Sequence, residues 1–145
     1  MNPRALLPWL GRAVAAAIAW LASALGGWDT TLSLMFAIMG LDLLTGLLVS
    51  LAGRSDKTAG GGFLSGAFFQ GLTRKLMMLL LVMLATALDG LMGTDGVCRL
   101  AVIGFYAANE GLSIVENAAL LGLPFPKSLL AVLERVKDQS DKPQS

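Results

Sequence analysis

The chain has 145 residues, of which 55% are hydrophobic and 14% charged, with a net charge of +1. Soluble domains carry about 25% charged residues, so this excess of apolar material describes a membrane protein. The near-zero net charge excludes a nucleic-acid binder that works by bulk charge. With no histidine and only Cys98, zinc centres, disulfide frameworks and histidine-based triads are excluded together. No catalytic residue, metal ligand or cofactor is expected, and Cys98 reads as a small apolar helix residue.

Residues 13–28 form a first uncharged run behind Arg4 and Arg12. It is slightly short of the roughly 20 residues a span needs, a deficit that Arg12 closes by snorkelling to the interface. Ala15, Ala19, Ser23 and Gly27 recur every fourth residue, a small-residue stripe that admits another helix. The competing reading is a signal peptide cut after Ala22-Ser23-Ala24.

Residues 30–52 form a second span interrupted by one charge, Asp42, which shares its helical face with Thr45, Gly46 and Gly53. Residues 53–75 read as the longest loop, holding Arg54, Lys57, Arg74 and Lys75 against Asp56. Gly60-Gly61-Gly62 lacks the following Gly-Lys-Ser/Thr of a phosphate cradle and reads as a joint. Phe63, Leu64, Phe68, Phe69 and Leu72 predict a short interfacial helix of their own. Residues 76–92 make a third span with Asp89 near its end.

The fourth span, 98–121, carries a polar stripe. At 100° per residue, Arg99, Tyr106, Asn109, Glu110, Glu116 and Asn117 all fall within roughly 60° of Ser113. The opposite arc, with Leu100, Gly104, Gly111, Val115 and Ala118, is expected to meet lipid. An ionisable group facing hydrocarbon costs about 2.5–3.5 kcal/mol on insertion scales, so the two glutamates demand protein partners or water. Gly122, Pro124 and Pro126 stop the helix and redirect the chain. Leu129, Val132, Leu133 and Val136 then predict an amphipathic helix over 127–138, and 140–145 is expected to be disordered.

Ten of the eleven Lys and Arg residues lie before the first span, in 53–75, or from Lys127 onward. The positive-inside rule therefore predicts four spans with both termini cytoplasmic, or three if the first segment lies on the surface or is removed.

Three motifs carry a resemblance. Asp42-Leu-Leu-Thr-Gly46 is similar to a DxxTG signature. Arg74-Lys75 precedes an apolar span ending in Asp89. Tyr106-Ala-Ala-Asn109-Glu110-Gly-Leu-Ser113-Ile-Val-Glu116-Asn117 is followed by Gly122-Leu-Pro124-Phe-Pro126-Lys127. In this order and spacing they resemble the phage-lysis and toxin-secretion holin family, over about residues 30–137. The resemblance implies a protein of the bacterial inner membrane that oligomerises with itself and abruptly permeabilises the bilayer. Its implied partners are an endolysin or secreted protein as cargo, and an antiholin. Asp42, Gly46, Asp89, Arg99, Tyr106, Asn109, Glu110, Ser113, Glu116 and Asn117 are the expected pore or oligomer positions. From the residues alone, two other classes stay open: a small proton-coupled exporter, and a non-conducting adaptor acting through the 127–138 helix. The fold class expected in every case is an all-α integral membrane protein with three to four transmembrane helices.

Overall fold

A computed structural model describes residues 3–55 and 65–141, and all regular structure within them is helical. Five helices follow one another: α1 (Pro3–Ala24), α2 (Thr30–Leu51), α3 (Ser65–Met92), α4 (Val97–Leu120) and α5 (Lys127–Asp141). Two of them, Thr30–Leu51 and Gly66–Met92, are long and apolar enough to cross a membrane, with hydropathies of 2.1 and 1.9. α4 is the central element, packing against α2, α3 and α5, while α1 meets only α3 among the stronger helix pairs.

The packing follows a seven-residue rhythm. α2 buries Leu32, Met35, Met39, Asp42 and Val49. α3 buries Lys75, Met78, Val82, Ala85 and Asp89. α4 buries Ile103, Glu110 and Asn117 on one arc, and Ala108 and Val115 on another. Alternating three- and four-residue steps keep one face of each helix inward. Leu25, Leu32, Met35, Met39, Met78, Val82 and Ile103 form a single apolar core at the end where α2 and α4 begin. Outside the bundle, Leu41, Leu44 and Leu48 on α2 and Leu76, Leu80 and Leu84 on α3 are exposed. Such leucine rows are what lipid contact requires and what water disfavours. α1 likewise exposes Trp9, Leu10, Val14, Ile18 and Trp20.

Several boundaries differ from the sequence expectation. The first span was expected to reach Trp28, but α1 ends at Ala24 because Gly26 and Gly27 adopt φ of +87° and +93°, which suits glycine. Phe68, Phe69 and Leu72 do not form a separate interfacial helix. They lie in the first turns of α3, which runs unbroken through Arg74 and Lys75, so those cations are helical and not in a loop. No glycine–proline pair stands between position 65 and the apolar run to stop the helix. α5 continues past 138 to Asp141, so Ser140 is helical and not part of a disordered tail. The expected lipid arc of α4 is only partly open: Leu100 is exposed, but Val115 is buried, because α4 has neighbours on several sides. Lys57, the Gly60–Gly62 joint, Phe63, Leu64 and residues 142–145 lie outside the described residues.

The turn after α4 obeys its sequence. Gly122 has φ +82°, and the amides of Gly122 and Leu123 donate to the carbonyls of Ala119 and Ala118 at 2.9 and 3.0 Å, closing a glycine cap. Pro126 then precedes α5, its carbonyl accepting from Leu129 at 3.1 Å.

Candidate polar site inside the helix bundle

The site begins with a charge that the inward rhythm of α3 places among apolar neighbours. Lys75 is 4% exposed, and a lone ammonium there would cost several kcal/mol. It is met by carboxylates from both neighbouring helices. Its Nζ donates to Asp42 Oδ2 of α2 at 2.8 Å and to a carboxylate oxygen of Glu110 on α4. Asp42 and Glu110 are 7% and 1% exposed. One cation therefore joins three helices.

Further groups complete the cluster. Asn117 Nδ2 donates to Thr45 Oγ1 at 3.0 Å and approaches Asp42 Oδ1 at 3.5 Å. Thr45 Oγ1 donates to its own helix at the Asp42 carbonyl, 3.1 Å away. Arg74 stands 4.0 Å from Glu110 with its side chain 61% exposed. Two carboxylates thus face one buried ammonium and one half-solvated guanidinium. Gly46 lies opposite Asn117, whose Nδ2 would sit 3.7 Å from an added Cβ. It is therefore a helix–helix contact within one chain.

Two cavities reach this cluster. One of about 320 Å³ lies between α2 and α3 and is lined by Asp42, Gly46, Ser50, Gln70, Arg74 and Lys75, among others. The second, about 440 Å³, runs between α3 and α4 along Arg74, Tyr106, Asn109, Glu110, Ser113 and Glu116. The predicted stripe is therefore divided. Glu110 turns inward to Lys75 and Asn117 to Thr45, whereas Glu116 is exposed and Asn109, Ser113 and Tyr106 are half-buried.

Asp89 and Arg99 do not join this cluster. They belong to a second polar group at the other end of the bundle. Asp89 accepts from the amides of Cys98 and Arg99, both at 2.8 Å, and thereby caps α4, whose N-cap Gly96 has no side chain to do so. Arg99 reaches the α1–α2 turn. Its Nε donates to the Leu25 carbonyl at 2.6 Å, and its two terminal nitrogens meet Asp29 at 2.7 and 3.1 Å. That bidentate pair, with the Leu32 amide as a further donor, lowers the Asp29 carboxyl to about 2.

Sequence reasoning missed Lys75 and Asp29 as site residues. For Lys75 the signal was present. It shares the register of Met78, Val82, Ala85 and Asp89, so the face that buries them buries it too. Asp29 had only its position as an N-cap, where Oδ1 accepts from Leu32 at 2.8 Å.

The bacteriophage holin family matches residues 19–138 of the chain. A probable holin of Bacillus phage phi105 is 32% identical over 111 residues, covering 77% of each chain. An uncharacterized protein of Halalkalibacterium halodurans is 31% identical over 144 residues, covering 95% of this chain and 98% of its own. An uncharacterized 14.9 kDa protein of Clostridium perfringens is 30% identical over 115 residues, 79% of this chain and 82% of its own. No solved structure matches.

Proposed function

Because the chain belongs to the bacteriophage holin family, a family of membrane pore-forming proteins and not of enzymes, we propose that it permeabilises the bacterial inner membrane to whole proteins. It does so by self-association, and an endolysin or another large protein is the cargo. α1, α2, α3 and α4 span the bilayer, with the termini, the α2–α3 connection and α5 on the cytoplasmic side. The positive-inside distribution of Lys and Arg supports that orientation.

The observation that carries the mechanism is the division of the α4 stripe. In the single chain, Lys75 bridges Asp42 and Glu110, with Arg74 as the second cation beside Glu110, and the three central helices are pinned together. The other half of the stripe, Asn109, Ser113 and Glu116, lines an open groove. Polar groups at membrane depth take protein or water as partners. In a small assembly a second copy satisfies that groove; in a larger ring the same face lines water. Opening requires the Lys75 cluster to exchange its internal partners for water, so the cluster holds the closed form.

A proton-coupled exporter is the second reading, favoured by the polar cavity that leads to Lys75 and Asp42. Release of differently sized solutes separates the two. Cells expressing the chain should lose a small dye and a folded cytoplasmic enzyme together at one abrupt onset. Loss of the dye alone would select the exporter, and loss of neither would select a non-conducting adaptor.

A further inference from the structure

α5 carries an exposed apolar row. Leu129, Val132 and Val136, at i, i+3 and i+7, are 45%, 53% and 37% exposed although α5 packs against α4. The charges that flank this row are both basic. In helical register, positions 135 and 137, both basic, lie roughly 95–105° to either side of the row's centre. The acidic positions 134, 138 and 141 lie roughly 145–165° away, on the far side with Lys127. A helix lying in a headgroup layer uses this placement directly: basic stems run along the acyl boundary with their charges at the phosphates, while the acids stay in water. Two neighbours extend the pattern. Leu123, in the turn before α5, is 59% exposed, and Arg54 is held at this end by donating to the Leu120 carbonyl at 3.3 Å.

We propose that α5 is a surface anchor docked on an anionic phospholipid leaflet, with Leu129, Val132 and Val136 entering the acyl boundary. The inference needs no lesion and stands apart from the holin reading.

The test uses the full chain, with Cys98→Ala, reconstituted in phosphatidylglycerol-containing or pure phosphatidylcholine vesicles. An environment-sensitive fluorophore is attached at Val132→Cys or at Asp138→Cys. Helical circular dichroism equal to the parent shows that each variant is folded. With phosphatidylglycerol, emission at 132 should be blue-shifted and quenched by spin-labelled lipid, whereas emission at 138 should be quenched by aqueous iodide. Adding Arg135→Glu, or removing phosphatidylglycerol, should reduce the lipid quenching at 132. Equal iodide quenching at both positions would overturn the proposal. So would a blue shift at 132 without lipid quenching, which would mean that protein covers the row. Lipid quenching indifferent to both phosphatidylglycerol and Arg135 would overturn its electrostatic part.

Discussion

Glu110 and Glu116 look equivalent in the sequence, six residues apart on one polar face, yet their surroundings separate them. Glu110 is 1% exposed and bonded to Lys75, whereas Glu116 is exposed. A hydrogen bond involving a charged partner contributes about 1.5–3 kcal/mol, so Glu110→Gln should weaken the closed form by that order. Glu116→Gln should leave it unchanged. Thermal unfolding in detergent micelles would show this, and equal Tm losses for the two variants would contradict the division of the stripe. Asp29 supplies a pH test at the opposite end. Its carboxyl lies near 2 when folded, below the ordinary aspartate value of 3.8. The contact with Arg99 therefore stabilises fully above about pH 4 and is lost as pH falls through about 2. A spin-label distance between the α1–α2 turn and the start of α4 should stay constant from pH 8 to pH 4 and broaden only below. Broadening near pH 6 would show that another group holds the turn.

At the scale of elements, helix content and the inward rhythm were legible, because buried residues repeat every three and four positions in α2, α3 and α4. The stop at Gly122 was legible for the same local reason. What escaped was which charges meet. Lys75 reads as the last cation of a loop because an uncharged apolar run follows it, and only its register with Met78 and Val82 points it inward. Arg99 reads as part of the α4 stripe, but its partner, Asp29, is 70 residues away in sequence, beyond any periodicity. The α1–α2 turn depends on that long-range contact. A Cβ on Gly26 would lie 2.6 Å from Arg99 Nε at a left-handed φ, whereas one on Gly27 meets only the left-handed strain. Left-handed backbone costs an L-residue roughly 1–2 kcal/mol, so Gly27→Ala should lose about that much. Gly26→Ala should lose clearly more, because Arg99 must also move. Equal Tm values for the two variants would show that the Arg99 contact contributes nothing to the turn.

For the whole molecule, polar groups and apolar core alternate along the bundle. At about 1.5 Å per residue, Asp42 and Glu110 lie roughly 18–20 Å from the starts of their helices, beyond the apolar core of Leu32, Met35, Val82 and Ile103. The core thus separates two polar groups: Asp29, Arg99 and Asp89 at one end, and the Lys75 cluster with the cavities that reach it at the other. In the proposed mechanism this fold is closed as a single chain and polar-lined when chains gather, with Lys75 as the point at which the two states part. Removing one partner of a buried ionic group costs about 3–5 kcal/mol, and Lys75→Met leaves both Asp42 and Glu110 without their ammonium. The most direct measurement is the onset of permeabilisation in cells at matched membrane abundance, for wild type, Lys75→Arg and Lys75→Met. The Met variant should open earlier or at lower abundance, with the Arg variant close to wild type. If the Met variant keeps wild-type timing, or accumulates in the membrane and never opens, the Lys75 cluster is not what holds the closed form.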